Sequence, residues 1–407
     1  MMQEKVGGRS ITFSKLRGVV VLAAVDWNFL RQRVHHLAAG MARAGMKVLF
    51  VENTAVRPPR PADLPRILKR LETAIFRPAG RGGEPLPENL AVYSPLAAPW
   101  PYNKAALAWN FSLLKGRVRR FLEEEKLRSE EVLFLTYLAT PLALRLAEDF
   151  SLSRVVYDVV SDPKMVEARL APSEERLLRR ADLTLFASAT LLDQYREHTK
   201  NPVLFRDGFS TELLDAEVET PVEVARLPRP RFLYMGGINR KLWLEAIEAL
   251  CEAVPHGSVI LMGPVAHGEA ALPKLPNLHL LPPRRRYIEL AGVLRAADVG
   301  LIPYQPDPYA GAMHPAKLNE YLVFGLPVVA TATLELTRLA QEFPVKFIYF
   351  GRTPQEFAEA GLLAMAGDVY LLKEKIRDLI MQFGWTVRVT EFLKLCKNEK
   401  DHQQNFR

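Results

Sequence analysis

DVGLIPYQPDPYAGAMHPAKLNEYLVFGLPVVAT, residues 298–331, sets a buried-strand pattern, a ligand-sized loop and a helix start side by side. Val299 to Tyr304 and Leu326 to Ala330 are short β-type apolar runs, so the segment between them reads as a βαβ crossover and the sheet as parallel. Pro315 suits the first helical position. Leu318, Tyr321, Leu322 and Gly325 recur at i, i+3, i+4 and i+7, and Gly325 stops the helix. Lys317 and Glu320, three apart, fall beside that stripe. Ligands of an open parallel sheet sit beyond the carboxyl ends of its strands. Here that is the loop from Gln305 to His314, next to a helix start with unpaired N–H groups. Lys317 offers a positive charge to a phosphate, and Glu320 a carboxylate acceptor suited to ribose hydroxyls. An ordinary surface ion pair would have the same spacing.

Outward from this stretch, 407 residues, about half of them apolar, predict two cores of about 200 residues each and argue against disorder. Two cysteines, Cys251 and Cys396, stand far apart without metal-type spacing, which points to a reducing compartment and away from a disulfide or zinc framework. The run Val19 to Val25 is too short to span a membrane and reads as a first buried strand, so neither signal peptide nor transmembrane span is expected. The net charge of +8 fits nucleic acid, acidic lipid or a phosphorylated substrate. The densest basic run, Arg284 to Arg286, has no stacking aromatics around it, so no nucleic-acid partner is expected.

The first unit runs from strand Val19–Val25 through a loop at Asp26-Trp27-Asn28, a helix from Leu30 to Ala44 and the stop Gly45 to strand Val48–Glu52. It has no G-x-G-x-x-G fingerprint. Strands at Val132–Thr136, Arg154–Asp158 and Leu183–Ala187 alternate with helices and keep the sheet parallel. Asp158 and Asp162 end one of these strands, where paired carboxylates could position a hydroxyl or act as a base, and where capping of the next segment would look the same. The proline-rich segment Thr220 to Pro230 reads as an interdomain linker. The βα rhythm then restarts at Arg231. Gly236 and Gly237 let a backbone approach a ligand closely, with Arg240 and Lys241 beside them to neutralise a diphosphate. Arg66 to Arg77 forms a basic amphipathic patch, and Trp100 to Arg120 mixes Trp100, Tyr102, Trp109 and Phe111 with Lys and Arg. Both suit an anionic membrane surface, and a solvated insertion is the alternative reading.

Glu320 to Ala330, EYLVFGLPVVA, resembles the donor-site signature of GT-B glycosyltransferases, in particular retaining family four and its bacterial polysaccharide-assembly branch with a "PxKLxEYL" pattern. Arg33 to Leu37, Gly45 to Glu52, VVYDVVSDP at Val155–Pro163, RADLTLFASATLLDQY at Arg180–Tyr195, RDGF at Arg206–Phe209 and FGWTVRVTEFL at Phe383–Leu393 extend the resemblance over nearly the whole chain. The resemblance implies an α/β fold of two Rossmann-like doubly wound parallel-sheet domains facing a cleft. Residues 1–220 would bind the acceptor and 221–375 the nucleotide sugar, and a C-terminal helix in 376–407 would cross back to the first domain.

The resemblance also implies that Glu320 holds the ribose of a UDP- or GDP-sugar. Met313, His314, Pro315 and Lys317 would face the diphosphate and sugar together with Gly236, Gly237, Arg240 and Lys241, and Tyr287 would lie at the nucleobase. Asp26, Asp158 and Asp162 are the catalytic candidates. No metal and no cofactor are expected. The acceptor would be a glycan or a lipid-linked sugar, and the enzyme cytoplasmic; peripheral attachment to the inner membrane face is an expectation from the two basic patches alone. Where the family's paired-Glu motif has its first Glu, this chain has Ala312. That departure suggests one rival reading, a GT-B-like binding or partner subunit without catalysis; the other rival is a nucleotide-sugar epimerase on the same fold.

Overall fold

In the computed structural model, described for residues 16–59, 85–150, 152–266, 272–284, 286–343, 346–366 and 380–397, thirteen strands form two parallel sheets. The first contains β1 (Gly18–Leu22), β2 (Lys47–Val51), β3 (Leu90–Tyr93), β4 (Val132–Thr136), β5 (Arg154–Val159), β6 (Leu183–Phe186) and β7 (Pro202–Leu204). Its spatial order is β3-β2-β1-β4-β5-β6-β7. The second contains β8 (Arg231–Met235), β9 (Ser258–Met262), β10 (Leu278–Leu281), β11 (Val299–Ile302), β12 (Val328–Thr331) and β13 (Ile348–Gly351), in the order β10-β9-β8-β11-β12-β13. Strand order reverses between β1 and β4 and again between β8 and β11. These are the switch points at which a doubly wound sheet opens a crevice.

The longer helices are α1 (Arg33–Arg43), α2 (Lys104–Glu124), α3 (Pro141–Asp149), α4 (Ala171–Arg180), α5 (Ala189–Tyr195), α6 (Leu244–Ala253), α7 (Leu290–Ala296), α8 (Lys317–Val323), α9 (Leu334–Glu342), α10 (Pro354–Ala366) and α11 (Trp385–Lys397). A strand covered on both faces needs an unbroken apolar run, and GVVVL of β1 is one. Its alternate residues serve different cores. Val20 and Leu22 pack with Phe111, Leu114 and Phe121 of α2, and Val19 and Val21 pack with Leu37 and Met41 of α1 and Phe392 of α11. The C-terminal helix thus crosses back onto the first sheet, where the Arg154 side chain donates to the carbonyls of Leu395 and Cys396.

The chain passes between the cores earlier than the expected division at 220. Phe209, Leu213, Ala216 and Val224 belong to the core of the second sheet. Thr220 to Pro230 is no free linker: Val224 is fully buried, and Arg231 donates to the carbonyls of Ala225, Leu227 and Ala296. Pro221 starts the turn Val222–Ala225, and the Pro228 and Pro230 carbonyls accept from Ser258 of the domain that follows.

Candidate active site

The crevice of the second sheet is set by where α8 sits. Gly300 in β11 has no side chain because the Tyr321 ring of α8 lies on it, where a Cβ would come within 2.5 Å of the ring. The Tyr321 hydroxyl accepts from the Met235 N–H and donates to the Leu233 carbonyl, which ties α8 to the end of β8. Gly325, at φ +71°, closes the helix, with its own N–H to Leu322 and that of Leu326 to Tyr321, as expected of a left-handed stop. The helix starts at Lys317 after Ala316, so Pro315 lies ahead of the first turn rather than in it. The loop before it is not wholly irregular, since Asp307 caps a single turn at Pro308–Gly311.

Lys317 and Glu320 are not partners of each other: each is held by tyrosines. The Lys317 ammonium donates to the Tyr304 hydroxyl at 2.7 Å and lies over the Tyr234 and Tyr304 rings. Gly236, at φ +140° after β8, stands against it, and a Cβ there would be 3.5 Å from Lys317 Nζ. The Glu320 carboxylate accepts from the Tyr287 hydroxyl, and burial pushes its carboxyl up to about 7. Gly236, Gly237, Lys317, Glu320 and Tyr287 are thereby brought together. Arg240 and Lys241 stand exposed on the rim, Lys241 donating to the Tyr309 hydroxyl of the facing loop.

His36 of α1 joins the two units, stacking on Trp385 with centroids 5.2 Å apart and meeting the Tyr287 ring edge-on at 5.1 Å. The Glu335 carboxylate at the start of α9 is fully buried and accepts from the N–H groups of Ala189 and Thr190 and from the Thr190 hydroxyl, at the start of α5. The Ser188 hydroxyl donates to the Ala312 carbonyl. The residue standing where the family has its first Glu therefore packs on the first unit. Sequence reasoning missed Glu335, because its partners lie 145 and 146 positions away.

The three aspartates are dispersed. Asp158 is fully buried and both its oxygens accept from the Arg33 guanidinium, Oδ2 from Nε at 2.7 Å and Oδ1 from Nη2 at 3.0 Å. Such an arrangement anchors α1 and engages both oxygens of the carboxylate that was a candidate base. Asp162 caps the turn Pro163–Val166 and accepts from Tyr195 and Gln194, the alternative that sequence had left open. Asp26 lies in the loop after β1, where its carbonyl is held by the His35 ring. Trp27, next to it in that loop, is buried against His35 and Phe50.

Glu174, in the first turn of α4, is fully buried, and neither oxygen finds a partner among the described residues. Burial pushes its carboxyl up to about 7. The folded form therefore keeps a proton that the unfolded chain releases near pH 4.5, and stability contributed by this group falls as pH rises from there to 7. Glu174→Gln is expected to leave the melting temperature nearly unchanged at pH 4.5 and to raise it above pH 7, where ionising the native carboxyl costs roughly 2–3 kcal/mol. Calorimetric scans at both pH values check it, and equal shifts at both would contradict it.

Two facing Rossmann-like units with a helix returning from the second to the first make the GT-B fold. No family model matches the chain. It is 26% identical over 243 residues to TuaH of Bacillus subtilis (strain 168), named as a teichuronic acid biosynthesis glycosyltransferase; the match takes in 56% of this chain and 60% of the relative's length. Among solved structures it is similar to sucrose-phosphate synthase from Thermosynechococcus elongatus, with a TM-score of 0.65 at 15% identity over 93% of this chain and 98% of that one. It is likewise similar to Anabaena HepE in complex with UDP-glucose, with a TM-score of 0.59 at 16% identity over 93% and 98% of the two chains. WaaG, a glycosyltransferase involved in lipopolysaccharide biosynthesis, gives a TM-score of 0.59 at 13% identity over 93% and 99%.

Proposed function

We propose that the protein is a glycosyltransferase moving a sugar, with retention, from a UDP- or GDP-sugar held on the second unit to a glycan or lipid-linked acceptor held on the first. The observation carrying this reading is that Gly236, Lys317 and Glu320 converge at the start of α8, beyond the ends of β8 and β11. Glu320 takes the ribose hydroxyls, Lys317 the diphosphate, and the Gly236-Gly237 backbone lets the phosphates approach. Met313, His314 and Pro315 line the sugar, Tyr287 lies beside the base, and Arg240 and Lys241 draw anions from the rim. Asp26, beside the first switch point, remains the acceptor-side candidate, while Asp158 and Asp162 serve the scaffold. TuaH and HepE, by the names they carry, support this class of reaction and donor.

A thermal-shift panel of nucleoside diphosphates and their sugars tests the reading: stabilisation by UDP or GDP and their sugars is expected, and no response to any of them would refute it. Turnover is expected to persist in EDTA, because side-chain cations and a helix start supply the positive charge. Loss of turnover on chelation with recovery on adding magnesium or manganese would contradict this.

The membrane proposal rests on α2. The patch Arg66 to Arg77 lies outside the described residues. In the second patch, Phe111 is core and Tyr102 donates to the Val56 carbonyl, but Trp100 and Trp109 are 52% and 61% exposed. Asn110, bonded in both directions to the Ala98 backbone, ties the segment that carries the exposed Leu96 and Trp100 to the helix that carries Trp109, with Lys104, Arg119 and Arg120 exposed on the same helix. Among the described residues no helix is long and apolar enough to cross a membrane. Co-sedimentation is expected with anionic vesicles at low salt, and not with neutral vesicles or at high salt, since each Lys or Arg contributes only about 1 kcal/mol. Recovery in the supernatant under all conditions would rule it out.

A further inference from the structure

We infer that the His314 side chain, not only its backbone, is a contact for the transferred sugar, offering one ring nitrogen as donor and the other as acceptor to its hydroxyls. The inference rests on the proposed donor site and deepens it. His314 lies three residues before Lys317, at the seam where Ala312 meets Ser188 of the first unit. It is 6% exposed, and neither ring nitrogen has a partner among the described residues. Two buried, unpaired polar atoms on one ring are costly unless something bonds them. His35, also buried, shows the satisfied case, its nitrogens taken up by the Gln32 N–H and the Asp26 carbonyl.

The chemistry of the ligand follows from charge. Burial, with Arg206, Arg33 and Arg388 nearby, holds the imidazole down to about 4 against the opposing pull of Glu335. At neutral pH the ring carries no charge to offer a phosphate, a task that falls to Lys317. A neutral imidazole has one donor and one acceptor, which matches a pair of sugar hydroxyls. Ala312 offers no side-chain polar group, whereas His314 beside it presents two ring nitrogens without partners among the described residues.

The test compares the native full chain with His314→Phe and His314→Gln. Calorimetry measures affinity for UDP, GDP, UDP-glucose and GDP-mannose, and a coupled assay measures release of nucleoside diphosphate from the nucleotide sugar that binds tighter. His314→Phe is expected to keep free-nucleotide affinity within about twofold, to weaken nucleotide-sugar binding at least tenfold and to lower turnover. His314→Gln, with a donor and an acceptor of its own, is expected to recover part of both. The native pH profile should show no step from protonation of this ring between pH 5.5 and 8. Nucleotide-sugar affinity unchanged in both variants would overturn the inference while leaving the donor site intact. A purely structural histidine would also overturn it, recognised by a lowered melting temperature and an equal loss of free-nucleotide and nucleotide-sugar affinity. If the native protein binds none of the four probes, the proposed function itself fails, a result read before any variant is made.

Discussion

Glu320→Ala is expected to weaken binding of the nucleotide sugar by about 10- to 150-fold, the loss of a charge-assisted hydrogen bond worth roughly 1.5–3 kcal/mol. The effect should appear equally with the free nucleoside diphosphate, since the contact is to ribose. Structure adds a pH dependence that the sequence did not suggest. Burial raises the Glu320 carboxyl to about 7, so the ligand-free site begins to take up a proton at neutral pH, and the carboxylate is the better acceptor. Donor affinity should therefore rise from pH 6 to pH 8 in the native protein and be flat in the alanine variant. The sign for stability is opposite. A carboxyl raised from 4.5 loses stability as pH climbs to 7, so the variant should melt no lower than the native protein above pH 7. Native-like donor affinity in Glu320→Ala would remove the donor-site assignment.

The fold was legible where local chemistry punctuates the chain. Gly45 and Gly325 end α1 and α8 at positive φ, and the apolar runs of β1, β4, β8 and β11 are continuous because both sheet faces are covered. Three strands were not anticipated. β3 (Leu90–Tyr93) follows a proline-rich stretch, β7 begins at Pro202, and β13 has four residues; each lies at a sheet edge, where burial is partial and the apolar signal short. The site divides the same way. Gly236, Lys317 and Glu320 could be read because spacing on one helix and a glycine turn place them. Asp158 stayed ambiguous because a carboxylate at a strand's end has the same local signature whether it meets a substrate or an arginine 125 residues earlier. Likewise nothing near Glu335 in sequence indicates that it will cap a helix of the other unit.

Arg33→Ala should carry the largest cost to stability, about 3–5 kcal/mol for the first unit, because it strips the partner from two buried carboxylates at once. Asp158 loses both hydrogen bonds, and Asp207, 3.1 Å from Nη1, loses its own. Asp207 also links the units, since its carbonyl accepts from the Asn319 side chain beside Glu320. The damage should therefore reach the donor site as a weaker nucleotide response, through position rather than contact. Burial already raises both carboxyls above the ordinary range even with Arg33 in place, and removing the guanidinium takes away the main opposing influence. A group with a raised folded pKa stabilises below its unfolded value and loses that stability as pH rises. The deficit of Arg33→Ala should accordingly be smaller at pH 4.5 than at pH 8, because protonation removes the unpaired charge. Urea denaturation of the first transition at the two pH values measures this, and a deficit independent of pH would mean that lost packing on Phe205, over which the guanidinium lies at 4.8 Å, dominates instead. Arg33→Lys keeps one charge but not the bidentate fork, so it should recover only part of the loss.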